Sequence, residues 1–305
     1  MTARIRVGEE VGAARSDERP VVAVETSVIG QGLPAPANVE CARRMDRAIR
    51  EAGAVPAWVG VLGGDVVVGL SETDLAAFSE PGRAQKVARR DLPAACARGG
   101  LGATTVSATI WAAARTGIHV GATGGVGGVH LGNRDDVSAD LLELSRTPGL
   151  LVCSGPKSIV DPSSTVERLE ELGVSLIGYR TGRLPHFLAG EVAIEVEHRV
   201  ETPGEAAAVL SASLALEVGS TVLLCNPVPT AVVLDPVEVA TATGRAEERA
   251  RAEGVRGRDL TPFLLAAIAE ETDGRSLDAN LALLEANAAL AGAVAASTPP
   301  PVGGA

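Results

Sequence analysis

A chain of 305 residues with 46% hydrophobic residues is long and apolar enough to bury a large core, which excludes a disordered protein. A net charge of −11 and an aromatic content of 2% argue against nucleic-acid partners, which need a basic face or stacking side chains. The apolar runs are shorter than the roughly 20 residues of a membrane helix, and residues 1–20 lack a signal-peptide pattern. We therefore expect a cytoplasmic protein without a membrane partner.

Runs rich in valine and isoleucine alternate with alanine-rich segments of helical period, which predicts an α/β fold with a largely parallel sheet. The predicted strands are 20–25, 55–62, 66–70, 86–88, 118–122, 150–153, 175–179, 192–196 and 221–224. The predicted helices are 38–51, 92–98, 104–115, 138–146, 164–172, 204–218, three near the end of the chain and a short one that a capping box of Ser71 and Asp74 opens. No long linker or repeat interrupts the pattern. We expect an N-terminal extension (1–19), a single domain (20–297) and a flexible tail (298–305).

Only two of the 27 basic residues are lysines, Lys86 and Lys157. An amine can lose its proton and attack a carbonyl carbon, whereas a guanidinium effectively cannot. Each lysine is therefore either a functional residue or a chance survivor among arginines. The four cysteines form no CxxC pair and are interpreted as reduced core residues: Cys41, Cys96, Cys153 and Cys225.

Two polar side chains follow buried strands, at the edge where open α/β sheets place their ligands. Glu25 closes the strand VVAVE, and Lys157 follows the strand LLVC in a loop of small residues. Partial desolvation of a lysine in such a loop favours a neutral, nucleophilic amine. Glu25 is either a functional carboxyl group or a solvated strand end.

The segment 122–130, ATGGVGGVH, is a glycine-rich loop whose backbone amides can approach an anion. It lacks the Lys-Ser/Thr pair of a P-loop. Asp135, Asp136 and Asp140 follow it and provide oxygen ligands that suit Mg²⁺ or Mn²⁺. Ser138 is equally suited to cap a helix that begins with acidic residues. The segment thus predicts either an anion and metal site or an ordinary helix start.

Lys86 shares the segment KVARRDL with Arg89 and Arg90. This basic cluster is either a phosphate clamp or a solvated charged face. His130 closes the glycine loop and is a candidate phosphate donor. No role is assigned to the other histidines: His119, His186 and His198.

Ten ordered segments strongly resemble the pseudouridine-5'-phosphate glycosidase family, which includes the indigoidine synthase A type proteins. They are VAVETSVIGQGLPAPANVE, GAVPAWVGVLGGDVVVGL, KVARRDL, GATTVSATIWAA, ATGGVGGVH, DVSADLLEL, VCSGPKSIVD, NPVP, TPFLL and SLDANLALLEANAALA. The resemblance covers roughly residues 20–295.

The resemblance implies reversible cleavage of pseudouridine 5'-phosphate to uracil and ribose 5-phosphate by a homotrimer of three-layer α/β/α subunits. It also implies a divalent cofactor, usually Mn²⁺, with Asp136 as the metal ligand. By motif, the nucleophile falls on Lys157 and the proton donor on Glu25. Substrate contacts and a supporting catalytic asparagine fall on the remaining matched positions: Lys86, Val106, Ser138, Ala139, Asp140 and Asn280.

The chemistry is consistent with this implication. Cleavage of a carbon–carbon bond needs an electron sink that a pair of carboxylates does not provide. Attack of the Lys157 amine on the anomeric carbon, with ring opening, leads to an imine that is such a sink. Glu25 would then move the proton that the ring oxygen or the uracil carbon requires.

The sequence departs from the family pattern in two loops. After Glu25, the usual Ser-Thr pair and His-Gly-Met-Pro stretch are replaced by Thr26-Ser27 and by the segment 31–34, Gln-Gly-Leu-Pro. The alanines that usually flank Gly155 are Ser154 and Pro156. The first departure points to a difference in the base that is recognised.

Two other functions compete with the glycosidase. A sugar or nucleoside kinase would fit the α/β pattern and the glycine loop, and it predicts ATP turnover. A non-catalytic protein that binds a phosphorylated metabolite would keep the pocket without the chemistry, although Glu25, Asp136 and Lys157 argue against it.

Overall fold

The computed structural model describes residues 3–131 and 134–299, and the expected tail lies outside this range from residue 300. The strands are β1 (Ile5–Val7), β2 (Val21–Glu25), β3 (Val55–Leu62), β4 (Asp65–Val68), β5 (Gln85–Val87), β6 (Leu101–Thr104), β7 (Val120–Ala122), β8 (Gly149–Cys153), β9 (Leu176–Tyr179), β10 (Arg183–Pro185), β11 (Glu191–Glu195), β12 (His198–Val200) and β13 (Thr221–Cys225).

The helices are α1 (Glu9–Ser16), α2 (Ala37–Glu51), α3 (Glu72–Phe78), α4 (Leu92–Arg98), α5 (Val106–Ala114), α6 (Ala139–Leu144), α7 (Pro162–Glu171), α8 (Pro203–Ala215), α9 (Pro236–Glu253), α10 (Leu260–Glu271) and α11 (Arg275–Ser297). Short helical turns occupy Val28–Gly32, Arg89–Asp91, Phe187–Ala189 and Gly257–Asp259.

The central sheet confirms the predicted α/β class. Its main path runs β1-β4-β3-β2-β7-β8-β13-β9-β12. Outside this path, β6 pairs with β3, and β5 pairs with β6. All neighbours from β3 to β12 along this path are parallel, so their carboxyl ends share one edge. Strands β4 and β6 run antiparallel to β3. Ligand-binding side chains of a parallel sheet collect at that shared edge.

Alternating side chains along the strands bury two different faces of the sheet. In β2, Val22 and Val24 join a core cluster with side chains of α2, α8 and α11. Val21 and Ala23 point to the other face, where they join a cluster with side chains of α1, α4 and α5. Because successive strand residues face opposite sides, this division requires helices on both faces. The fold is therefore a three-layer α/β/α arrangement.

Helix α11 is the core helix of the domain. Its 23 residues are long and apolar enough to cross a membrane by length and composition alone. However, 67% of its most apolar window is buried inside the fold, where it contacts α2, α8 and the central strands. Its hydrophobicity is explained by this packing.

Three strands of the central sheet were not predicted from the sequence: β1, β6 and β12. Strand β6 contains only Leu101, Gly102, Ala103 and Thr104, which is too short and too poor in β-branched residues to show strand periodicity. Strand β1 has three residues and adds to β4 in parallel register, while Val11 of α1 is buried beside it. In addition, the predicted strand 192–196 corresponds to β11, which forms a separate hairpin with β10.

The capping prediction is confirmed, and the interpretation of the cysteines as core residues is confirmed for three of the four. Ser71 and Asp74 form a reciprocal capping box at the start of α3. The four cysteines are free thiols; three are buried and Cys96 is half-buried. Burial raises the pKa of the Cys41 thiol to about 12, so this cysteine is an inert core residue.

Asn287 on α11 ties the carboxyl ends of three central strands together. Its fully buried amide nitrogen donates to Thr123 O at 2.9 Å, just after β7, and to Ser154 Oγ at 3.1 Å, just after β8. Its Oδ1 accepts from Asn226 Nδ2 at 3.0 Å, just after β13. A buried amide with this many partners stabilises the fold because each partner would otherwise lose its hydrogen bond.

We expect Asn287→Ala to lower the free energy of unfolding by about 3 kcal/mol, because it leaves several buried polar groups without partners. Urea denaturation monitored by circular dichroism measures this change. The exposed Ser297→Ala at the end of the same helix is the control, with an expected change within about 0.5 kcal/mol. Equal effects of the two substitutions would contradict the role of Asn287.

Candidate active site

A chamber of about 410 Å³ opens at the carboxyl ends of β2, β7 and β8. Nine of the ten candidate residues proposed from the sequence line it: Glu25, Lys86, His130, Asp136, Ser138, Ala139, Asp140, Lys157 and Asn280. They come from segments that are far apart in the chain. The parallel sheet brings them together.

Val106 is the exception. It is the first residue of α5, and its side chain is 2% exposed in a hydrophobic cluster with Ile110 and Val126. Its neighbour Thr105 lines the chamber instead. The Val106 side chain is thus a core side chain, so a substrate contact of this residue would have to use its backbone.

Glu25 is buried at the end of β2, which excludes the alternative of a solvated strand end. The hydroxyls of Ser27 and Thr123 donate to its two carboxylate oxygens. Burial raises the pKa of the Glu25 carboxyl above its ordinary value, and the nearby charge of Lys157 opposes this shift only in part. Glu25 therefore keeps its proton to a higher pH than an exposed glutamate and is suited to donate it.

Thr123 lines the chamber and donates to Glu25, a contact that the sequence analysis missed. It follows β7 directly, as Glu25 closes β2 and Lys157 follows β8. In the sequence, the only sign that Thr123 lies near the site is its position one residue after a predicted strand. The residue that it contacts, Glu25, lies 98 positions away in the chain.

Lys157 lies in a loop that is held to the glycine loop by backbone hydrogen bonds. Its amide donates to Val126 O at 3.0 Å, and the Val126 amide donates to Gly155 O at 3.1 Å. The half-buried side chain forms no hydrogen bond or ion pair with residues 3–131 or 134–299. The backbone is fixed, so the amine is positioned but remains available to a ligand.

Two different backbone contacts of this loop explain Gly155 and Pro156. Gly155 has φ of +77°, and a β-carbon there would overlap the Pro185 carbonyl oxygen, so only glycine fits. Pro156 pairs with Val126 in a short parallel bridge whose hydrogen bonds use the neighbours of Pro156. Proline has no N–H, and this bridge requires none from it.

Close packing accounts for the glycines between 124 and 128. A β-carbon on Gly125 would lie 2.8 Å from Phe187 Cδ2, one on Gly127 would overlap Ser138 Oγ, and one on Gly128 would overlap Thr165 Oγ1. Four amides of this loop already donate to protein acceptors: those of residues 126, 127, 129 and 130. The expectation that the loop's amides approach an anion is wrong for these four.

Asp140 holds two backbone segments together by accepting hydrogen bonds from their amides. The buried carboxylate accepts from the Ser107 amide at 3.1 Å and from the Gly127 amide at 3.2 Å. Ser138 caps α6, since its Oγ accepts from the Asp140 amide at 3.2 Å. The helix-start interpretation of Ser138 is confirmed, although both residues also line the chamber.

The basic cluster divides into two functions. Arg89 forms an ion pair of 2.6 Å with Glu143, whose side chain is 5% exposed, and so belongs to the scaffold. Lys86 and Arg90 line the chamber. The pKa of Lys86 is lowered, mainly by burial and then by the charge of Lys157. The chamber thus holds two neighbouring amines and the buried carboxyl groups of Glu25 and Asp140.

Asp136 and His130 form the outer wall of the chamber. Asp136 is exposed, and its carbonyl accepts from the His130 amide at 3.0 Å. Burial lowers the pKa of His130, and the Asp136 charge opposes that shift. No group of three or more His, Cys, Asp or Glu side chains among the described residues could enclose a metal ion. Asp136 can serve as a single carboxylate ligand, which is how Mg²⁺-like ions are often held beside a substrate phosphate.

Comparison with known proteins gives a consistent result. Residues 10–297 match the family model described as indigoidine synthase A like protein. A pseudouridine-5'-phosphate glycosidase of Herpetosiphon aurantiacus is 45% identical over 294 residues, 96% of this chain and 97% of the relative. One of Deinococcus radiodurans is 46% identical over 289 residues, 94% of this chain and 92% of the relative.

Two solved structures share the fold over nearly the whole chain. An indigoidine synthase A-like protein of Thermotoga maritima has a TM-score of 0.88 at 41% identity and covers 96% of both chains. A prealnumycin C-glycosynthase in complex with ribulose 5-phosphate has a TM-score of 0.87 at 37% identity, again with 96% of both chains covered.

We expect Glu25→Gln to stabilise the protein more at pH 8 than at pH 4. At pH 4 the carboxyl is mostly protonated in both the folded and the unfolded state. As the pH rises through the raised pKa, ionisation of the buried carboxyl costs the folded state stability. Glutamine avoids that cost.

Urea denaturation of both proteins at each pH measures the difference in stability, and the exposed Glu248→Gln is the control. The same difference at both pH values would show that the Glu25 pKa is not raised.

Proposed function

This chain belongs to the indigoidine synthase A-like family, and we propose that it reversibly cleaves the carbon–carbon glycosidic bond of pseudouridine 5'-phosphate. The products are uracil and ribose 5-phosphate. The observation that carries the proposal is a buried, protonatable Glu25 in the same chamber as the unpaired amine of Lys157. Relatives with 44–46% identity that are named for this activity support it.

In the proposed reaction, the Lys157 amine attacks the anomeric carbon and the ring C–O bond breaks. Glu25 gives its proton to the ring oxygen and takes up the proton that the nitrogen loses. Glu25 then protonates C5 of the base. The lysine nitrogen's lone pair forms the imine while the electrons of the carbon–carbon bond return to the base. Water hydrolyses the imine and releases ribose 5-phosphate.

The positive charges of the chamber suit a phosphate group. Lys86 and Arg90 supply positive charge there, and His130 supplies a ring nitrogen beside them. These three groups would hold the phosphate and thereby fix the sugar relative to Lys157. Ser138, Ala139 and Asp140 also line this chamber. Asn280, 8% exposed and without a hydrogen bond to the described residues, would pair with an edge of the base.

The proposal includes one divalent metal per subunit, Mn²⁺ or a related ion, held by Asp136. An exposed carboxylate on the chamber wall fits an ion that keeps most of its water and also contacts the substrate. When bound, such an ion supplies positive charge that orients water and sugar oxygens. We further propose a cytoplasmic homotrimer, as the family resemblance implies.

Borohydride trapping tests the imine. We expect reduction in the presence of ribose 5-phosphate to add the sugar phosphate to Lys157, as read by peptide mass spectrometry. The chain is well suited to this test because Lys86 is its only other lysine. We expect Lys157→Arg to abolish the adduct and to lower kcat/KM for uracil release by about a thousandfold or more. Lys86→Arg is the matched control: it should retain the adduct and mainly raise KM.

An adduct on Lys86 alone, or full activity of Lys157→Arg, would contradict the assigned nucleophile. ATP hydrolysis without any adduct would favour the sugar or nucleoside kinase. Binding of pseudouridine 5'-phosphate without release of uracil would favour the non-catalytic binding protein.

Metal titration tests the role of Asp136. We expect chelation to lower the rate of uracil release and Mn²⁺ to restore it. Asp136→Asn should raise the Mn²⁺ concentration required for half-maximal rate by about tenfold or more, because a neutral amide binds hard cations less tightly. The nearby exposed Asp135→Asn is the comparison variant. A metal requirement unchanged in Asp136→Asn would remove that residue from the proposed site.

A further inference from the structure

A second cavity of about 490 Å³, which we call the annex, adjoins the chamber. The two share six lining residues: Gln31, Gly32, Leu33, Pro262, Leu265 and Asn280. These residues come from the turn after β2 and from α10 and α11. A ligand bound in the chamber therefore meets the annex along this common boundary.

The chemistry of the annex differs from that of the chamber. Beyond the boundary its wall includes Leu188, Ala266, Ala269 and Leu277. The one charged side chain that the described residues contribute to it is Glu270, which already pairs with Arg249 at 2.6 Å. No lysine, arginine or histidine from the described part of the chain lines it. A phosphate would find no counter-charge in the annex, so the end of the substrate that faces it is the base.

Two amide side chains stand at the boundary itself. Gln31 Nε2 donates to Ala84 O at 2.6 Å, which fixes the amide and leaves its oxygen without a donor among the described residues. Asn280 is nearly buried and has no hydrogen bond to the described residues. A nearly buried amide without a partner is costly unless a ligand satisfies it. The boundary can thus hold the polar edge of a ring whose remainder lies beyond.

We propose that the annex receives an apolar extension of the base, so that this enzyme acts on C-ribosyl 5-phosphates whose aglycone is larger and more apolar than uracil. This inference rests on the proposed glycosidase function. The reaction remains balanced and redox-neutral: water and the substrate give the free aglycone, which gains a proton at the cleaved carbon, and ribose 5-phosphate. Burial of the extension against leucine and alanine side chains favours the larger aglycone.

The test compares pseudouridine 5'-phosphate with its 1-benzyl and 3-benzyl derivatives, which keep the same reacting carbon. We expect at least one derivative to be cleaved with kcat/KM equal to or above that of the parent. Ala266→Trp, at an exposed site on the annex wall, should lower the ratio of derivative to parent kcat/KM by about tenfold or more. The exposed Ala252→Trp on α9, which lines neither cavity, is the matched control and should leave the ratio unchanged.

The outcomes separate this inference from the proposed function. Cleavage of the parent with no cleavage of either derivative would overturn the annex inference and leave the glycosidase function intact. A ratio that Ala266→Trp does not change would also overturn it. Cleavage of none of the three compounds would overturn both the proposed function and the inference.

Discussion

The close approach of two loops after neighbouring strands is the constraint on which the site depends. Strands β7 and β8 end side by side, and the loops that follow them are joined by the hydrogen bonds from Ser154 N to Gly124 O at 2.8 Å, from Val126 N to Gly155 O and from Lys157 N to Val126 O. This contact leaves little room at Gly125, where a β-carbon would lie 3.0 Å from Gly155 O. It directs Lys157 by its backbone, so the amine needs no anchoring side chain of its own.

A chain of hydrogen bonds and one ion pair holds another part of the chamber wall in place. The Ser107 amide donates to Asp140, and the Ser107 hydroxyl accepts from the Arg89 amide at 3.3 Å. Arg89 in turn binds the buried Glu143, whose Oε1 also accepts from Thr147. Through this chain of contacts, the start of α5 positions both the glycine loop and the segment that follows Lys86. Charged groups that resemble ligand contacts in sequence are used here as scaffold, because a buried charge must be paired.

Because so many polar groups are paired with one another, few polar side chains in the chamber remain available to a ligand. Burial raises the pKa of Glu25 more than the Lys157 charge and the Ser27 and Thr123 hydroxyls lower it. Lys157 and Lys86 share the cavity without hydrogen-bond or ion-pair partners among the described residues. An acid that keeps its proton beside an unpaired amine suits a reaction that moves protons between nitrogen, oxygen and carbon. The neighbouring annex differs because its described wall is mostly apolar and carries no cation. The two cavities thus separate charge recognition from apolar recognition.

Sequence patterns alone determined the α/β class, most of the central strands and the positions of Glu25 and Lys157 at strand ends. These features follow from local periodicity and from the rule that parallel strands collect ligands at one edge. The short strands β1 and β6 could not be predicted, since they are stabilised by partners rather than by their own residues. Only the tertiary structure decided which polar residues are free: it assigned Thr123 to Glu25, Arg89 to Glu143, Asp140 to two backbone amides and Val106 to the core. The physical reason is that hydrogen bonding and burial depend on neighbours distant in the chain, which local sequence does not encode.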